Sequence, residues 1–303
     1  MEILSVKNLS KSFGANKVID NISFDVPEGC VFGFIGANGA GKTTTMKMLL
    51  GLIPADKGEI EVCGERVSFG ATKTNRHIGY LPDVPEFYGY MRPKEYLRLC
   101  GEIVGLTTDK TNKRALELLE VVGLADVNKK ISSFSRGMKQ RLGMAQALLN
   151  EPKLLVCDEP TSALDPMGRK EILDMLKQVG EKTTVIFSTH ILSDVERICD
   201  RAAVISDGHI AMMGTLAQLR AKHKSDSILL EFASVSDKEK FGKIAEALMA
   251  NAESAELEIV LHVPDISNAQ REILHILYTN DILPLKFEVQ EPTIESLFLE
   301  VSR

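Results

Sequence analysis

Short apolar runs alternate with helical repeats through most of the chain, and this alternation predicts an α/β fold with a largely parallel central sheet. Continuous apolar runs, typical of strands buried on both faces, occupy residues 31–35, 154–157, 184–188 and 202–206. Helical spacing of apolar residues occupies residues 45–50, 169–179 and 193–199. The runs therefore predict strand–helix units of the kind that build a parallel sheet.

Four other segments depart from this pattern. Residues 1–30 predict short antiparallel strands, and residues 59–64 alternate apolar and polar side chains like a half-exposed strand. Asp207-Gly208 between two strand-like runs is a strong hairpin signal. We therefore expect an antiparallel part at the edge of the sheet. Residues 83–150 instead show helical spacing over 93–100, 111–122 and 138–149, which predicts a mainly helical insertion.

The chain turns polar at residues 221–226, and we predict a domain boundary there. The predicted domains are residues 1–224 and a small α/β domain over residues 225–303. The second domain is expected to run strand, helix, strand, helix, strand, helix. Its last helix carries Ile294, Leu297, Phe298 and Val301 on one face. That face predicts packing against the core, with a partner-binding surface as the alternative.

Composition limits the classes of function. The chain has 303 residues, with 44% hydrophobic and 26% charged, as in an ordinary globular protein. Its net charge of −6 gives no support to nucleic acid as a main partner, because such domains are usually basic. No apolar run approaches the roughly 18 residues that span a bilayer, and residues 1–5 do not resemble a signal peptide. Five scattered cysteines without a C-x-x-C pair predict free thiols in a reducing cytoplasm.

A glycine-rich stretch between a predicted strand and a predicted helix carries the clearest chemistry. It consists of Gly36, Ala37, Asn38, Gly39, Ala40, Gly41, Lys42, Thr43 and Thr44. Glycines let backbone N–H groups turn around an anion, and the helix N-terminus adds unpaired donors. Lys42 can reach the β- and γ-phosphates of a nucleotide, and the Thr43 hydroxyl can ligate Mg²⁺. The pattern predicts a phosphate-binding P-loop; the alternative is an ordinary glycine-rich turn.

Acidic and basic side chains follow two other predicted strands. Asp158 and Glu159 end the run 154–157, where Asp158 can hold Mg²⁺ through water and Glu159 can orient or deprotonate an attacking water. The alternative is an acidic turn that ends a strand. His190 follows the run 184–188 and is placed to contact the γ-phosphate, with an ordinary surface histidine as the alternative.

The segment 133–141 begins a further helix with Ser135 and Gly137, which gives a second anion-binding helix N-terminus. The chain has one P-loop, which already surrounds its own phosphates. A second phosphate site therefore indicates a nucleotide that is shared with another protomer.

With these motifs in order, residues 1–220 resemble the nucleotide-binding subunit of an ATP-binding cassette (ABC) transporter. The fold that this implies is a P-loop NTPase cassette. Phe13 matches the aromatic residue that stacks on adenine, and the P-loop matches the Walker A motif. Ser135 and Gly137 occupy the signature position, and Asp158-Glu159 match Walker B and its catalytic carboxylate. Ser162-Ala163-Leu164-Asp165 match the D-loop, and His190 matches the switch histidine.

The chain departs from the family pattern in the signature and at the residue after Tyr80-Leu81-Pro82. The usual signature, Leu-Ser-Gly-Gly-Gln, reads Phe134-Ser135-Arg136-Gly137-Met138 here. Arg136 stands in the signature where a small residue is usual, and it either adds charge near the shared phosphate or faces solvent. Asp83 follows Tyr80-Leu81-Pro82, where the family usually has glutamine. An aspartate can still help to ligate Mg²⁺, but it lacks the amide donor.

The resemblance implies two copies, expected as a homodimer, that close head to tail over two ATP-Mg²⁺. It also implies an integral membrane permease as partner and a peripheral location on the cytoplasmic face of the cell membrane. The side chains of Phe87, Tyr88, Tyr90 and Met91 resemble the groove for a permease coupling helix; a small helical core is the alternative. Residues 227–303, which include the stretch 291–298, resemble the tail of the type-two bacitracin, daunorubicin, sodium and lipid exporter ATPases.

Two other functions are compatible with a P-loop. A soluble ABC ATPase that acts on ribosomes or nucleic acid usually has two cassettes or long coiled-coil inserts, together with basic surfaces. A P-loop kinase does not account for the signature or the D-loop. The sequence therefore favours an ATP-hydrolysing subunit that powers a separately encoded permease, expected to be an exporter.

Overall fold

The computed structural model describes residues 2–70, 73–221 and 227–290, which divide into two compact units between Leu216 and Ala217. The strands are β1 (Glu2–Phe13), β2 (Asn16–Pro27), β3 (Val31–Gly36), β4 (Lys57–Val62), β5 (Glu65–Arg66), β6 (Ile78–Leu81), β7 (Leu154–Asp158), β8 (Thr184–Thr189), β9 (Arg201–Ser206), β10 (His209–Thr215), β11 (Ser227–Phe232), β12 (Ala252–Ser254), β13 (Glu258–His262) and β14 (Pro284–Val289). The α-helices are α1 (Lys42–Leu49), α2 (Pro93–Ile103), α3 (Thr108–Val121), α4 (Arg136–Leu148), α5 (Pro166–Gly180), α6 (Leu192–Ile198), α7 (Leu216–Ala221), α8 (Val235–Ile244) and α9 (Ile266–Thr279).

The central sheet of the first unit has the order β10-β9-β3-β8-β7-β6. Every neighbouring pair is parallel except β9 and β10. Strands β3, β7 and β8 are buried along their whole length, as their continuous apolar runs predict. Because the strands run in one direction, their carboxyl ends share one edge of the sheet, where an α/β fold binds ligands.

An antiparallel sheet with the order β2-β1-β4-β5 stands beside the central sheet and shares its core. Phe24 on β2 lies with its ring centroid 5.4 Å from that of Phe34 and 6.0 Å from that of Phe32 on β3. Met46 on α1 belongs to the same buried cluster. The prediction that the strands within residues 1–30 are short is wrong. Strands β1 and β2 each have 12 residues, because bulges let one long ribbon bend without ending.

The helical insertion consists of α2, α3 and α4, and α2 packs against α3. The Thr107 hydroxyl caps α3 by accepting from the N–H of Lys110, and the Ser135 hydroxyl caps α4 by accepting from Met138. Helix α4 lies close against β6, since a Cβ atom at Gly79 would be 2.2 Å from the carbonyl oxygen of Ala147. The insertion is thus fixed to the strand that ends near Asp83.

The second unit is a four-stranded antiparallel sheet with the order β12-β13-β11-β14, together with α8 and α9. Its core includes Leu230, Phe232, Phe241 and Ile273. Strand β12 was not predicted, because three residues are too few to give a periodic pattern. The predicted last helix, with Ile294, Leu297, Phe298 and Val301, lies outside the described residues. So do residues 222–226 around the predicted boundary at 224, which stays a prediction.

All five cysteines, Cys30, Cys63, Cys100, Cys157 and Cys199, are free thiols. Burial raises the pKa of the Cys30 thiol to about 11, and burial followed by the charge of Asp158 raises the pKa of Cys157 still further. These buried thiols are therefore protonated at neutral pH. In the described ranges, no helix has the length and apolar character needed to cross a bilayer.

Candidate functional site

The P-loop joins the end of β3 to the start of α1 and needs glycine at a defined position. Gly41 has φ +102°, and a Cβ atom there would lie 2.4 Å from Cδ1 of Ile19 and 3.0 Å from the carbonyl oxygen of Val18. A side chain at Gly41 is therefore excluded by backbone conformation and by space. The loop surrounds open space in front of the first turn of α1, where unpaired backbone N–H groups can meet an anion.

Lys42 is buried, and its ammonium group has three oxygen partners. Its Nζ donates to the carbonyl oxygen of Gly36 at 2.8 Å and to that of Ala37 at 3.1 Å. It also lies 3.0 Å from Oε1 of Glu159. The lysine thus links the P-loop to the carboxylate that follows β7.

Asp158 and Glu159 are held by the neighbouring strand β8. Ser188 lies directly opposite Asp158 in the parallel register, and its hydroxyl donates to Oδ1 of Asp158 at 2.6 Å. Thr43 Oγ1 donates to the same carboxylate oxygen at 3.1 Å. The N–H of Glu159 donates to the Ser188 hydroxyl at 3.0 Å and to its carbonyl oxygen at 3.2 Å. These bonds hold Glu159 in a left-handed conformation, φ +46°, which is uncommon outside glycine.

His190 reaches the same carboxylate from the end of β8. Its Nδ1 lies 2.9 Å from Oε2 of Glu159, and its side chain is 41% exposed. The carboxylate of Glu159 therefore lies between a lysine ammonium on one oxygen and an imidazole on the other. The role of His190 at the γ-phosphate stays a prediction.

One cavity of ≈ 470 Å³ brings most of the predicted residues together. Its lining consists of Val18, Asn38, Gly39, Gly41, Lys42, Thr43, Thr44, Asp83, Glu159, Ser162 and His190. Gly36, Ala40 and Asp158 belong to the supporting segments, and Gly36 packs against Ile205 and Ala40. Phe13, Ser135, Gly137 and Asp165 do not line it. The Phe13 ring is 52% exposed, with Lys11 Nζ 5.4 Å from its centroid.

The site includes Val18 and Ser188, which were not predicted. Val18 is brought to the cavity by pairing between distant parts of the chain, and nothing in its local sequence marks it. Ser188 stands two residues before His190, and its role depends on the register between β7 and β8. Only the pairing of β7 with β8 identifies Ser188 as a site residue, and the sequence does not show which residues pair.

Arg136, at the first position of α4, is 41% exposed and is paired. Its Nη2 lies 3.1 Å from Oδ1 of Asp83 and 3.1 Å from Oγ of Ser162. Both partners line the cavity. Two of the positions at which the chain departs from the family pattern, Asp83 and Arg136, are therefore in contact.

Within residues 2–70, 73–221 and 227–290, no cluster of three or more His, Cys, Asp or Glu residues could hold a metal by itself. The donors at the cavity are the Thr43 hydroxyl and the Asp158 carboxylate, which already share a hydrogen bond. Mg²⁺ is usually held by one or two protein oxygens together with waters and substrate phosphates. This donor set fits Mg²⁺ that arrives with a nucleotide.

A family described as ABC transporter matches residues 19–162, and the family of DrrA1-3-like ATP-binding protein C-terminal domains matches residues 214–302. The ABC transporter ATP-binding protein YxlF of Bacillus subtilis is 38% identical over 99% of both chains. The chain belongs to the ATP-binding subunits of ABC transporters.

Other relatives of this ABC subunit have more specific names. The linearmycin resistance ATP-binding protein LnrL of Bacillus subtilis is 36% identical over 99% of this chain and 98% of its own. The bacitracin transport ATP-binding protein BcrA of Bacillus licheniformis is 34% identical over 99% and 97%. Full-length similarity of this kind confirms the predicted resemblance to exporter ATPases, including the second domain.

Solved structures agree with the cassette fold of the ABC subunit. The ATP-binding subunit of an ABC transporter has a TM-score of 0.66 at 34% identity, over 73% of this chain and 92% of its own. The cassette MJ0796, a dimer bound to ADP and Pi, has a TM-score of 0.63 at 26% identity, over 70% and 98%. The α/β cassette is therefore confirmed. As a member of this family, the chain is an ATP-hydrolysing subunit that powers a membrane permease.

The position of Ser188 gives a first prediction. Ser188→Ala removes the donor to Asp158 and one acceptor of the Glu159 N–H, so we expect the kcat of ATP hydrolysis to fall about 10- to 100-fold. Ser23→Ala is the matched control, because the Ser23 hydroxyl also accepts a backbone N–H, that of Asn8 at 2.8 Å, in the antiparallel sheet. Steady-state phosphate release measures both variants. Equal rates for Ser188→Ala and Ser23→Ala would contradict the assigned role.

Proposed function

We propose that the cavity binds ATP with Mg²⁺ and that Glu159 is the general base for hydrolysis of the γ-phosphate. The observation that carries this proposal is the Glu159 carboxylate, which lies between Lys42 and His190 on the cavity lining. A carboxylate at this position can accept a proton from water as the oxygen attacks phosphorus. The bond from the γ-phosphorus to the bridging oxygen then breaks, which gives ADP and phosphate.

The other side chains have positioning and electrostatic roles in this proposal. Lys42 exchanges Glu159 for the β- and γ-phosphates and neutralises part of their charge. The loop with Asn38, Gly39, Gly41 and Thr44 offers backbone donors, while the N–H of Ala40 donates to the carbonyl oxygen of Ala37 at 3.2 Å. His190 holds the orientation of Glu159 and faces the γ-phosphate. The exposed ring of Phe13 is available to stack on adenine.

We assign the Mg²⁺ to Thr43 and Asp158, whose oxygens already lie 3.1 Å apart. When bound, Mg²⁺ neutralises charge that develops on the phosphate oxygens. Ligation by Asp83 stays a prediction, since Oδ1 of Asp83 is paired with Arg136.

A second copy of the chain would complete each site. Ser135, Gly137 and Asp165 lie outside the cavity of their own chain, at or near the N-termini of α4 and α5. A Cβ atom at Gly137 would have its nearest neighbour at 4.0 Å, so the helix start is unobstructed. The dimeric cassette MJ0796 supports this arrangement. We therefore propose a homodimer in which Ser135 and Gly137 face the partner's γ-phosphate.

A second cavity fits the expected contact with the permease. It has a volume of ≈ 480 Å³ and is lined by Glu86, Phe87, Tyr88, Tyr96, Leu99, Cys100, Ile103, Val104, Gln146, Leu149 and Asn150. Phe87 is half-buried and packs edge-on to Tyr96 at 5.1 Å, so both rings form part of the wall of this groove. Tyr88 and Tyr90 are 55% and 68% exposed, so they are free to meet a partner. We propose that a cytoplasmic helix of the permease binds this groove.

Ile103, 75% exposed at the rim of the groove, tests the contact. Ile103→Asp is expected to abolish co-purification with the permease while ATP hydrolysis by the isolated subunit stays within about twofold, because a charge is costly only where the partner would bury it. Val121→Asp on α3 is the matched control, with 45% exposure and no part in the groove. Retention of the permease by Ile103→Asp would place the contact elsewhere.

The cargo class is proposed from the relatives. LnrL is named for linearmycin resistance and BcrA for bacitracin transport, and both match the chain over its full length. We propose that this subunit acts at the inner face of the cell membrane and powers export of a drug, antibiotic peptide, lipid or ion. The test is to isolate the membrane protein that co-purifies with the full chain, reconstitute both in vesicles and measure ATP-dependent cargo movement. An ATPase that co-purifies only with RNA or ribosomes would overturn the proposal.

A further inference from the structure

The nucleotide cavity has an unusual balance of charge. Three carboxylates, Asp83, Asp158 and Glu159, lie on or directly beneath its lining, against one buried cation, Lys42. A triphosphate is strongly anionic, so each uncompensated carboxylate lowers its affinity. Mg²⁺ brings two positive charges. Asp83 is the extra carboxylate, because the family pattern has a neutral glutamine at that position.

Arg136 supplies a positive charge at this point. Its guanidinium Nη2 lies 3.1 Å from Oδ1 of Asp83 and 3.1 Å from Oγ of Ser162. An arginine at the first residue of a helix is unfavourable by itself, because the helix N-terminus carries partial positive charge. The Asp83 carboxylate offsets this cost. Each departure from the family pattern thus makes the other tolerable.

A second hydrogen bond from α4 fixes the position of Asp83. The Nε2 of Gln140, one turn further along the helix and fully buried, donates to the carbonyl oxygen of Asp83 at 2.8 Å. The backbone of Asp83 is thus held by Gln140 and its side chain by Arg136. Asp83 is fixed to α4 by both its main chain and its side chain.

We propose that Arg136 is the counter-charge of Asp83 and that this pair keeps the Asp83 carboxylate from repelling ATP. The proposal rests on the nucleotide site proposed above. It makes Arg136 a positioning residue that acts within its own chain. The pair is 41% and 44% exposed, so it contributes little to the free energy of unfolding. We expect the pair to act on the affinity of the site for nucleotide instead.

The test is a double-mutant cycle on the full chain, with the non-hydrolysable analogue AMP-PNP and Mg²⁺ measured by isothermal titration calorimetry. Arg136→Gln is expected to raise the Kd roughly three- to tenfold, as one unpaired charge near a partly exposed site would. Asp83→Gln is expected to lower the Kd, because the carboxylate is lost while Arg136 remains. The double variant is expected to return to within about twofold of the wild-type Kd, since neither charge is then unpaired.

Two further measurements separate charge from structure. The effect of Arg136→Gln should shrink as KCl is raised from about 0.05 to 0.5 M, because salt screens exposed charges. Arg98→Gln is the matched control, since Arg98 is paired with Glu102 at 3.2 Å at similar exposure, and its Kd should not change. Thermal unfolding of each variant checks that the chain is folded. If Arg136→Gln is unfolded, the proposal is judged on the Kd of Asp83→Gln, which should be lower than that of the wild type.

Three results would overturn the proposal. An unchanged Kd for AMP-PNP in Arg136→Gln would show that Arg136 is not the counter-charge of Asp83. A double variant as weak as Arg136→Gln means that Arg136 acts on the nucleotide or on the helix. Weaker Mg²⁺-dependent binding in Asp83→Gln means that Asp83 ligates the metal. Lys42→Ala shows which proposal has failed: normal binding by that variant would reject the nucleotide site itself.

Discussion

Replacing Glu159 by Gln is expected to reduce ATP turnover about 10²- to 10⁴-fold without weakening ATP binding. The amide keeps the shape of the side chain and can still contact His190, but it cannot accept the proton of the attacking water. Its environment fits a base: Oε2 lies 2.9 Å from His190 Nδ1 and the side chain is 12% exposed. Phosphate release measures turnover, and fluorescent-nucleotide titration measures binding.

Glu117→Gln on α3 is the matched control for Glu159→Gln. Glu117 is an exposed glutamate whose carboxylate lies 3.4 Å from Arg114, remote from the nucleotide cavity. Its replacement should leave turnover unchanged. Transport by the reconstituted complex should be lost in Glu159→Gln and kept in Glu117→Gln. Hydrolysis and transport at the wild-type rate in Glu159→Gln would reject this residue as the base.

Lys42→Ala is expected to weaken ATP binding by at least about 100-fold, the effect of losing more than one charge-assisted hydrogen bond. The lysine has two functions that this change removes together. In the proposed site it neutralises phosphate charge, and its Nζ donates to the carbonyl oxygens of Gly36 and Ala37 at 2.8 and 3.1 Å. Loss of Lys42 also leaves the largely buried carboxylate of Glu159 without its ammonium partner, so we expect some loss of thermal stability.

Two variants separate phosphate binding from loop structure. Lys47→Ala changes an exposed lysine on the same helix and should preserve ATP affinity. Lys42→Met keeps the aliphatic stem but has no charge or donor, so its melting temperature should be nearer to wild type while ATP binding stays lost. ATP binding by Lys42→Met at wild-type affinity would contradict the assignment of phosphate binding to Lys42.

The motifs at the ends of β3, β7 and β8 could be predicted because each is continuous in sequence. A strand delivers Gly36, Asp158 or His190 to the sheet edge, and a parallel sheet places these ends together. The helices of the insertion were also predictable, because their apolar spacing and glycine breaks are local. Helix α2 begins at Pro93 as predicted but ends at Ile103 instead of residue 100. Helices α3 and α4 begin at Thr108 and Arg136 instead of residues 111 and 138, since side-chain caps rather than apolar spacing decide where they begin.

The contacts that the sequence did not predict join residues that lie far apart in the chain. Ser188 lies opposite Asp158 through the register between two strands 30 residues apart. Arg136 meets Asp83 across 53 residues, so two apparently separate departures from a pattern form one ion pair. Local sequence does not encode such pairings, because they follow from how the insertion packs against the sheet.

In the proposed site, the contact between Lys42 and Glu159 makes the Glu159 carboxylate a competitor of ATP for the lysine ammonium group. The same ammonium group cannot serve Glu159 at 3.0 Å and a γ-phosphate fully at once. In the proposed mechanism, arrival of nucleotide frees the carboxylate from the lysine at the moment when a water needs a base. In that mechanism the base is occupied by Lys42 while no phosphate is present, and the substrate itself releases it.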